Sequence, residues 1–219
     1  MLEYDYEKMY DAFLGIDTKE EEEWEEEGIP EEYNRYEVTP YDALSVACEQ
    51  LQIKPTDCVV DFGCGKGRIL FFFNNFFLCR TKGIEQDAAL YQQLEDNKAY
   101  YDVRFKERGA MIDLYHMKAE EYRIAKEDNV FYFFNPCSPE HFAEILEHIV
   151  ISIEESFRVV TLILYYGSDD YLRIIRDMCW KQKRMIRLPN YMEDTDEKMY
   201  VFQNPVTFLR DELEGAETE

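Results

Sequence analysis

The 219-residue sequence has three histidines, six cysteines and nine glycines, and none is arranged as a metal or disulfide framework requires. Cys48, Cys58, Cys64, Cys79, Cys137 and Cys179 form no C-x-x-C pair, and no histidine ladder stands beside them. That spacing argues against zinc and against a disulfide-stapled fold. No secretory signal pattern is present at the N-terminus, so reduced thiols in a cytoplasmic protein are expected. Long apolar runs are also missing. The longest, ILFFFNNFFLC from Ile69 to Cys79, is interrupted by Asn74 and Asn75. It falls far short of the roughly 20 residues of a membrane span, and no membrane role is expected. There is no internal repeat and no Gly/Ser linker, which predicts one core.

Basic residues are scarce as well: 24 Lys and Arg face 47 Asp and Glu, for a formal charge of −23. Residues 1–32 hold fourteen acids and two lysines, nine of the acids in KEEEEWEEEGIPEE, Lys19 to Glu32. Such a run reads as a solvated surface, or as an arm that guards a cleft or recruits a basic partner. Nucleic acid would be repelled unless a local basic face rescued it. The one candidate is Arg173, Arg176, Lys181, Lys183, Arg184 and Arg187 within 171–187, a weak footprint spread over a helix and a strand. With 46% hydrophobic and 16% aromatic residues, the chain is nonetheless globular.

From residue 40 onward, strand and helix patterns alternate. Helices are expected at 40–52, with Thr39 as N-cap, and at 68–78, 87–103, 119–124, 138–157 and 169–180. Strands are expected at 58–62, 81–86, 111–117, 129–135 and 158–167, followed by an antiparallel pair near 183–188 and 199–203. This is an α/β pattern: a Rossmann-like three-layer sandwich with a mostly parallel seven-stranded sheet and a C-terminal antiparallel hairpin. Residues 1–39 read as an acidic N-terminal leader or lid, 40–208 as the domain, and 209–219 as an acidic tail.

The stretch VVDFGCGKGRIL, Val59 to Leu70, ends a strand and then places glycines at 63, 65 and 67. A P-loop needs Ser or Thr after Gly-Lys, but Gly67 stands there. A dinucleotide loop needs a glycine three residues after Gly65, but Arg68 stands there, which disfavours NAD. The remaining pattern, Asp61-x-Gly63-x-Gly65-x-Gly67, resembles the first motif of the class I S-adenosylmethionine-dependent methyltransferases. The resemblance covers about residues 40–205. Within that family, RYEVTPYDAL, DFGCGKGR and FFNPCS are similar to a group of small bacterial proteins.

A loop for a nucleoside without phosphate needs close backbone approach, which glycines permit. Asp61 can orient the methionine end of S-adenosyl-L-methionine, and Glu85, at the end of the second strand, can take both ribose hydroxyls. Cys64, within the loop, and Gln86, after the acid, belong to the same candidate cofactor-binding set. The resemblance adds Ala119 and Glu120 as adenine contacts, although Lys118 replaces an acid common before the alanine. It also places methyl transfer near Asn135. Asn135-Pro136 resembles the start of an N-P-P-aromatic signature, but Cys137 and Ser138 depart from it, which disfavours planar amino groups as acceptors. Tyr41, with His116 and Glu120, is a candidate base, and Tyr33, Tyr36 and Tyr41 are candidate lid residues. No metal is expected. The expected function is methyl transfer to a small molecule or protein. The alternatives are a non-catalytic cofactor-binding protein, or an RNA or DNA methyltransferase using the basic 171–187 stretch.

Overall fold

The computed structural model describes residues 6–19 and 36–205. The acidic run beyond Lys19, the lid candidate Tyr33 and the tail 209–219 lie outside the described residues. Seven strands form one sheet: β1 (Cys58–Phe62), β2 (Arg80–Glu85), β3 (Ile112–His116), β4 (Val130–Phe133), β5 (Thr161–Tyr165), β6 (Lys181–Arg187) and β7 (Lys198–Gln203). Their order is β3-β2-β1-β4-β5-β7-β6. The first five in space are parallel, and β7 runs antiparallel to both β5 and β6. The sequence expectation of a parallel sheet closed by an antiparallel hairpin is therefore met.

Alternation along the strands divides the core into two layers. Val59, Tyr132 and Ile163 face one way, against α2 (Tyr41–Cys48), α3 (Arg68–Phe77) and α4 (Ala88–Arg104). Val60, Phe131 and Leu162 face the other, against α6 (Pro139–Glu155) and α7 (Asp169–Asp177). A single turn, α5 (Lys106–Gly109), follows α4. Helix α3 is apolar on most sides because seven of its residues, Arg68 to Asn74, are buried between the sheet and its neighbours.

Helix starts follow their caps. Asp87 accepts the Ala89 and Leu90 amides at 2.9 and 2.8 Å and begins α4 immediately after the β2 end. Replacing Asp87 by Ala should cost about 1 kcal/mol, measurable as a lower midpoint in urea denaturation with unchanged slope. Ser138 accepts the His141 amide and begins α6.

Two expectations need correction. Thr39 does not cap α2: Pro40 occupies the cap position without a side-chain bond, and the Thr39 hydroxyl instead meets the Tyr132 hydroxyl at 2.6 Å. The expected helix at 119–124 is one 3-10 turn, Ala119–Glu121. Within the leader there is a helix, α1 (Tyr6–Leu14), whose Leu14 joins the core beside Leu44 and Phe72.

Candidate active site

The carboxyl ends of β1, β2 and β4 meet where the sheet order changes direction, the position at which open α/β sheets bind ligands. After Phe62 the chain turns through Gly63, Gly65 and Gly67 at φ 70°, 53° and 90°. Two of these glycines are required by close approach as well as by φ. A Cβ on Gly63 would lie 2.7 Å from Pro136, and a Cβ on Gly65 would lie 2.1 Å from the Tyr36 ring. The Gly63 and Cys64 amides donate to the Ile84 carbonyl at 2.9 and 3.1 Å, which ties the loop to β2.

Glu85 fastens the same loop with its side chain. One carboxylate oxygen accepts the Gly65 amide at 2.8 Å, and the other accepts the Asp87 amide at 2.7 Å. Asp61 stands one strand away, paired in register with Tyr132. Burial pushes the Asp61 carboxyl well above its usual range, and the Glu85 charge pushes it further. Burial also raises Glu85, and the amides of Asp87 and Gly65 partly offset this. Among the described residues no basic side chain pairs with Asp61. A 4%-exposed carboxylate without a cation is costly to the fold, and such groups cluster at functional sites. Burial and the two carboxylates raise the Cys64 thiol, which favours its protonated form.

Asp61, Gly63, Cys64, Gly65, Gly67 and Glu85 thus converge on one loop. Gln86 is half-buried beside it, with its carbonyl 3.1 Å from His116 Nε2. His116 stacks on Tyr91 with ring centroids 4.6 Å apart. That contact places His116 at the β2–β3 side, across β1 from Asn135. Ala119 is buried just beyond β3, where the Met117 amide donates to the Glu85 carbonyl at 3.1 Å. Glu120 lies near Lys118 at 3.9 Å and lines a separate groove with Glu121 and His148.

Asn135 follows β4 at φ 41°, and Tyr166 follows β5 at φ 50°. The Asn135 amide nitrogen donates to the Tyr166 carbonyl at 2.6 Å, joining two left-handed non-glycine residues at adjacent strand ends. The Tyr166 hydroxyl in turn lies within hydrogen-bonding distance of the Asp194 and Glu197 carboxylates, at 2.7 and 2.6 Å.

Tyr41 is not at the cleft. It is fully buried, and its hydroxyl donates to Asp11 at 2.5 Å beneath the Arg68 guanidinium. Burial, then the Asp11 charge, push the Tyr41 hydroxyl far above its usual range. Its role is to hold α1 against α2. Sequence reasoning missed the group that Tyr41 serves: Arg68 bonds to Glu7, to the Thr18 hydroxyl at 2.7 Å and to the Thr39 carbonyl at 3.2 Å. The available signal was Arg68 itself, a cation in the first turn of an apolar helix, where the helix dipole disfavours it.

No family model matches the chain. A histone-lysine N-methyltransferase specific for H3 lysine-79, from Dictyostelium discoideum, is 31% identical over 119 residues, which make up 50% of this chain and 6% of that protein. The chain therefore spans only a small fraction of that relative's length. An RNA methyltransferase from Salinibacter ruber, solved with S-adenosyl-L-homocysteine, superposes with a TM-score of 0.51 at 20% identity, covering 77% of this chain and 94% of that one. A geranyl diphosphate C-methyltransferase from Streptomyces coelicolor, solved with the same nucleoside, superposes with a TM-score of 0.51 at 11% identity, covering 75% and 76%. The chain has the fold of the class I S-adenosylmethionine-dependent methyltransferases.

Proposed function

We propose that the protein binds S-adenosyl-L-methionine over the loop from Gly63 to Gly67 and transfers its methyl group to an acceptor held near Asn135. The observation that carries this reading is the convergence, on the carboxyl edge of the sheet, of a buried Asp61 with no cation beside it among the described residues, a side-chain-intolerant glycine loop and a buried Glu85. These residues fit the group. Asp61 offers an anion to an α-ammonium, and Glu85 offers a carboxylate to a pair of vicinal hydroxyls. Gly63 and Gly65 permit backbone contact. Gln86 and Ala119 follow β2 and β3 on the same edge, whereas Glu120 faces the separate groove beside α6.

The cofactor supplies a sulfonium-bound methyl group when present. The chain's contribution is to align the acceptor in line with it and to keep water out. Asn135, Phe134 and Tyr166 form the β4–β5 side of that position, with Phe134 and Tyr165 rings 4.6 Å apart. The acceptor we favour is a small molecule or protein. The net charge of −23 counts against nucleic acid, although Lys181 to Arg184 are exposed on the edge strand β6.

S-adenosylhomocysteine at a hundredfold excess over its Kd should stabilise the protein by about 2.7 kcal/mol, roughly 5–10 °C for a chain of this size. NAD and ATP should give no shift. A protein that melts unchanged with S-adenosylhomocysteine, or is stabilised by NAD alone, would contradict the reading. Labelled methyl incorporation into protein, RNA and small-molecule fractions then identifies the acceptor class.

A further inference from the structure

The N-terminal residues do more than border the site. The Tyr36 ring lies directly on Gly65, where an added Cβ would sit 2.1 Å from it. The Tyr36 hydroxyl donates to the Thr18 carbonyl at 3.1 Å, so two stretches of the leader meet over the loop. Lys66 closes the arrangement: its ammonium donates to the Lys19 carbonyl at 2.8 Å and lies 5.7 Å from the Tyr36 ring centroid. Asn97 binds the loop and the leader together, donating to the Lys66 and Asp17 carbonyls at 3.0 Å each.

The same stretches are anchored below. Asp11 accepts the Thr18 amide and hydroxyl, both at 2.8 Å, and Glu7 pairs with Arg68 while accepting the Tyr41 amide at 2.8 Å. With these contacts in place, the cavity bounded by Tyr36, Thr39, Asp61, Gly63, Cys64 and Phe134 has a volume of about 30 Å³. That holds one or two waters. It is about an order of magnitude below the roughly 300 Å³ at which ligand pockets begin. Glu85, the group expected to receive ribose hydroxyls, has both oxygens engaged by the Gly65 and Asp87 amides.

We propose that the Tyr36 ring, held by residues 7–19 and Lys66, is an autoinhibitory plug that occupies the cofactor seat above Gly65, so that the cofactor enters only as Tyr36 leaves. This rests on the S-adenosylmethionine reading of the site. Binding is then taxed by the population of the seated state: a plug seated nine-tenths of the time weakens apparent affinity about tenfold. A lid that closed over a bound cofactor would behave in the opposite way, because removing its ring would remove contacts to the ligand.

The test is calorimetric titration of S-adenosylhomocysteine into the full chain and into Tyr36→Ala, Tyr36→Phe and Glu7→Gln, with a melting curve for each. Tyr36→Ala should bind about tenfold more tightly. Tyr36→Phe, which loses the hydroxyl's bond to the Thr18 carbonyl but keeps the ring, should change in the same direction by a smaller factor. Glu7→Gln, which loosens the anchor without touching the seat, should also tighten binding. If Tyr36→Ala does not fold, Tyr36→Phe and Glu7→Gln decide the matter. Equal or weaker binding in the folded variants overturns the plug while leaving the cofactor assignment intact. Absence of binding in every variant and in the parent chain overturns both.

Discussion

Replacing Asp61 with asparagine is expected to raise the stability of the protein while weakening S-adenosylhomocysteine binding by roughly 10- to 150-fold. The two effects have one cause. Asp61 is 4% exposed, has no cationic partner among the described residues, and sits close enough to Glu85 to feel its charge. Burial disfavours the carboxylate, so its pKa in the folded chain lies above the value in the unfolded chain. Across that interval the folded state holds more protons than the unfolded state. The contribution of Asp61 to stability is therefore fully present below the ordinary carboxylate range and is lost as pH rises through the raised pKa.

Asparagine keeps the shape and removes both the penalty and this part of the pH slope. The gain should be about 1–3 kcal/mol at neutral pH, the cost of leaving such a group unsatisfied. The loss in affinity comes from a charge-assisted hydrogen bond, worth about 1.5–3 kcal/mol. Thermal melts between pH 4 and pH 8, with and without the ligand, read both effects. An asparagine variant less stable than the parent at pH 7 would show that Asp61 is compensated. A variant that binds normally would remove Asp61 from the cofactor site. Stability gained where function is lost is the usual signature of a strained site.

The parts of this protein that were legible in its sequence are those set by neighbours in the chain. The Asp61–Gly67 loop was readable because strand, turn and helix start lie within ten residues, and because glycine adopts the positive φ values there at the least cost. The apolar run of β5 was readable because a strand covered on both faces has no polar side. Asp87 and Ser138 act as caps through bonds spanning two or three residues. Thr39 matched the same local pattern, but its hydroxyl is used by Tyr132, 93 residues away, and no cap forms. The acceptor side was opaque for a related reason. Asn135 and Tyr166 adopt left-handed backbones without being glycine, and they do so because each supports the other across 31 residues. Helix α1 was hidden because its purpose lies in Arg68 and Tyr41, and a run of acidic residues gives no sign that Glu7 and Asp11 are used internally.

Arg68 is the group whose loss should unfold the leader from the domain. Its side chain is 3% exposed, bonds to Glu7, to the Thr18 hydroxyl and to the Thr39 carbonyl, and lies 4.3 Å from the Tyr41 ring centroid. Arg68→Met keeps much of the apolar stem but leaves those acceptors without their donor. Removing one member of a buried charged network costs about 3–5 kcal/mol, because the partners stay behind desolvated. For a chain of this length that is a melting point lower by roughly 6–20 °C. Glu7 is different, since its side chain is 38% exposed and can rehydrate when the pair is broken. Glu7→Gln should therefore cost about 1 kcal/mol or less. The inequality between the two variants is the sharper test. If the pair mattered chiefly as an ion pair, both substitutions would cost alike. If Arg68 works as a branched donor that fixes Thr18 and Thr39 beneath the glycine loop, Arg68→Met will cost several times more. Urea denaturation of the two variants and the double variant measures this directly. A double variant no less stable than Arg68→Met would show that Glu7 acts only through Arg68, and additive costs would place the arginine's effect in its other bonds, whereas Arg68→Met within 1 kcal/mol of the parent chain would show that the leader is held by its apolar contacts, Leu14 and Ile16, alone.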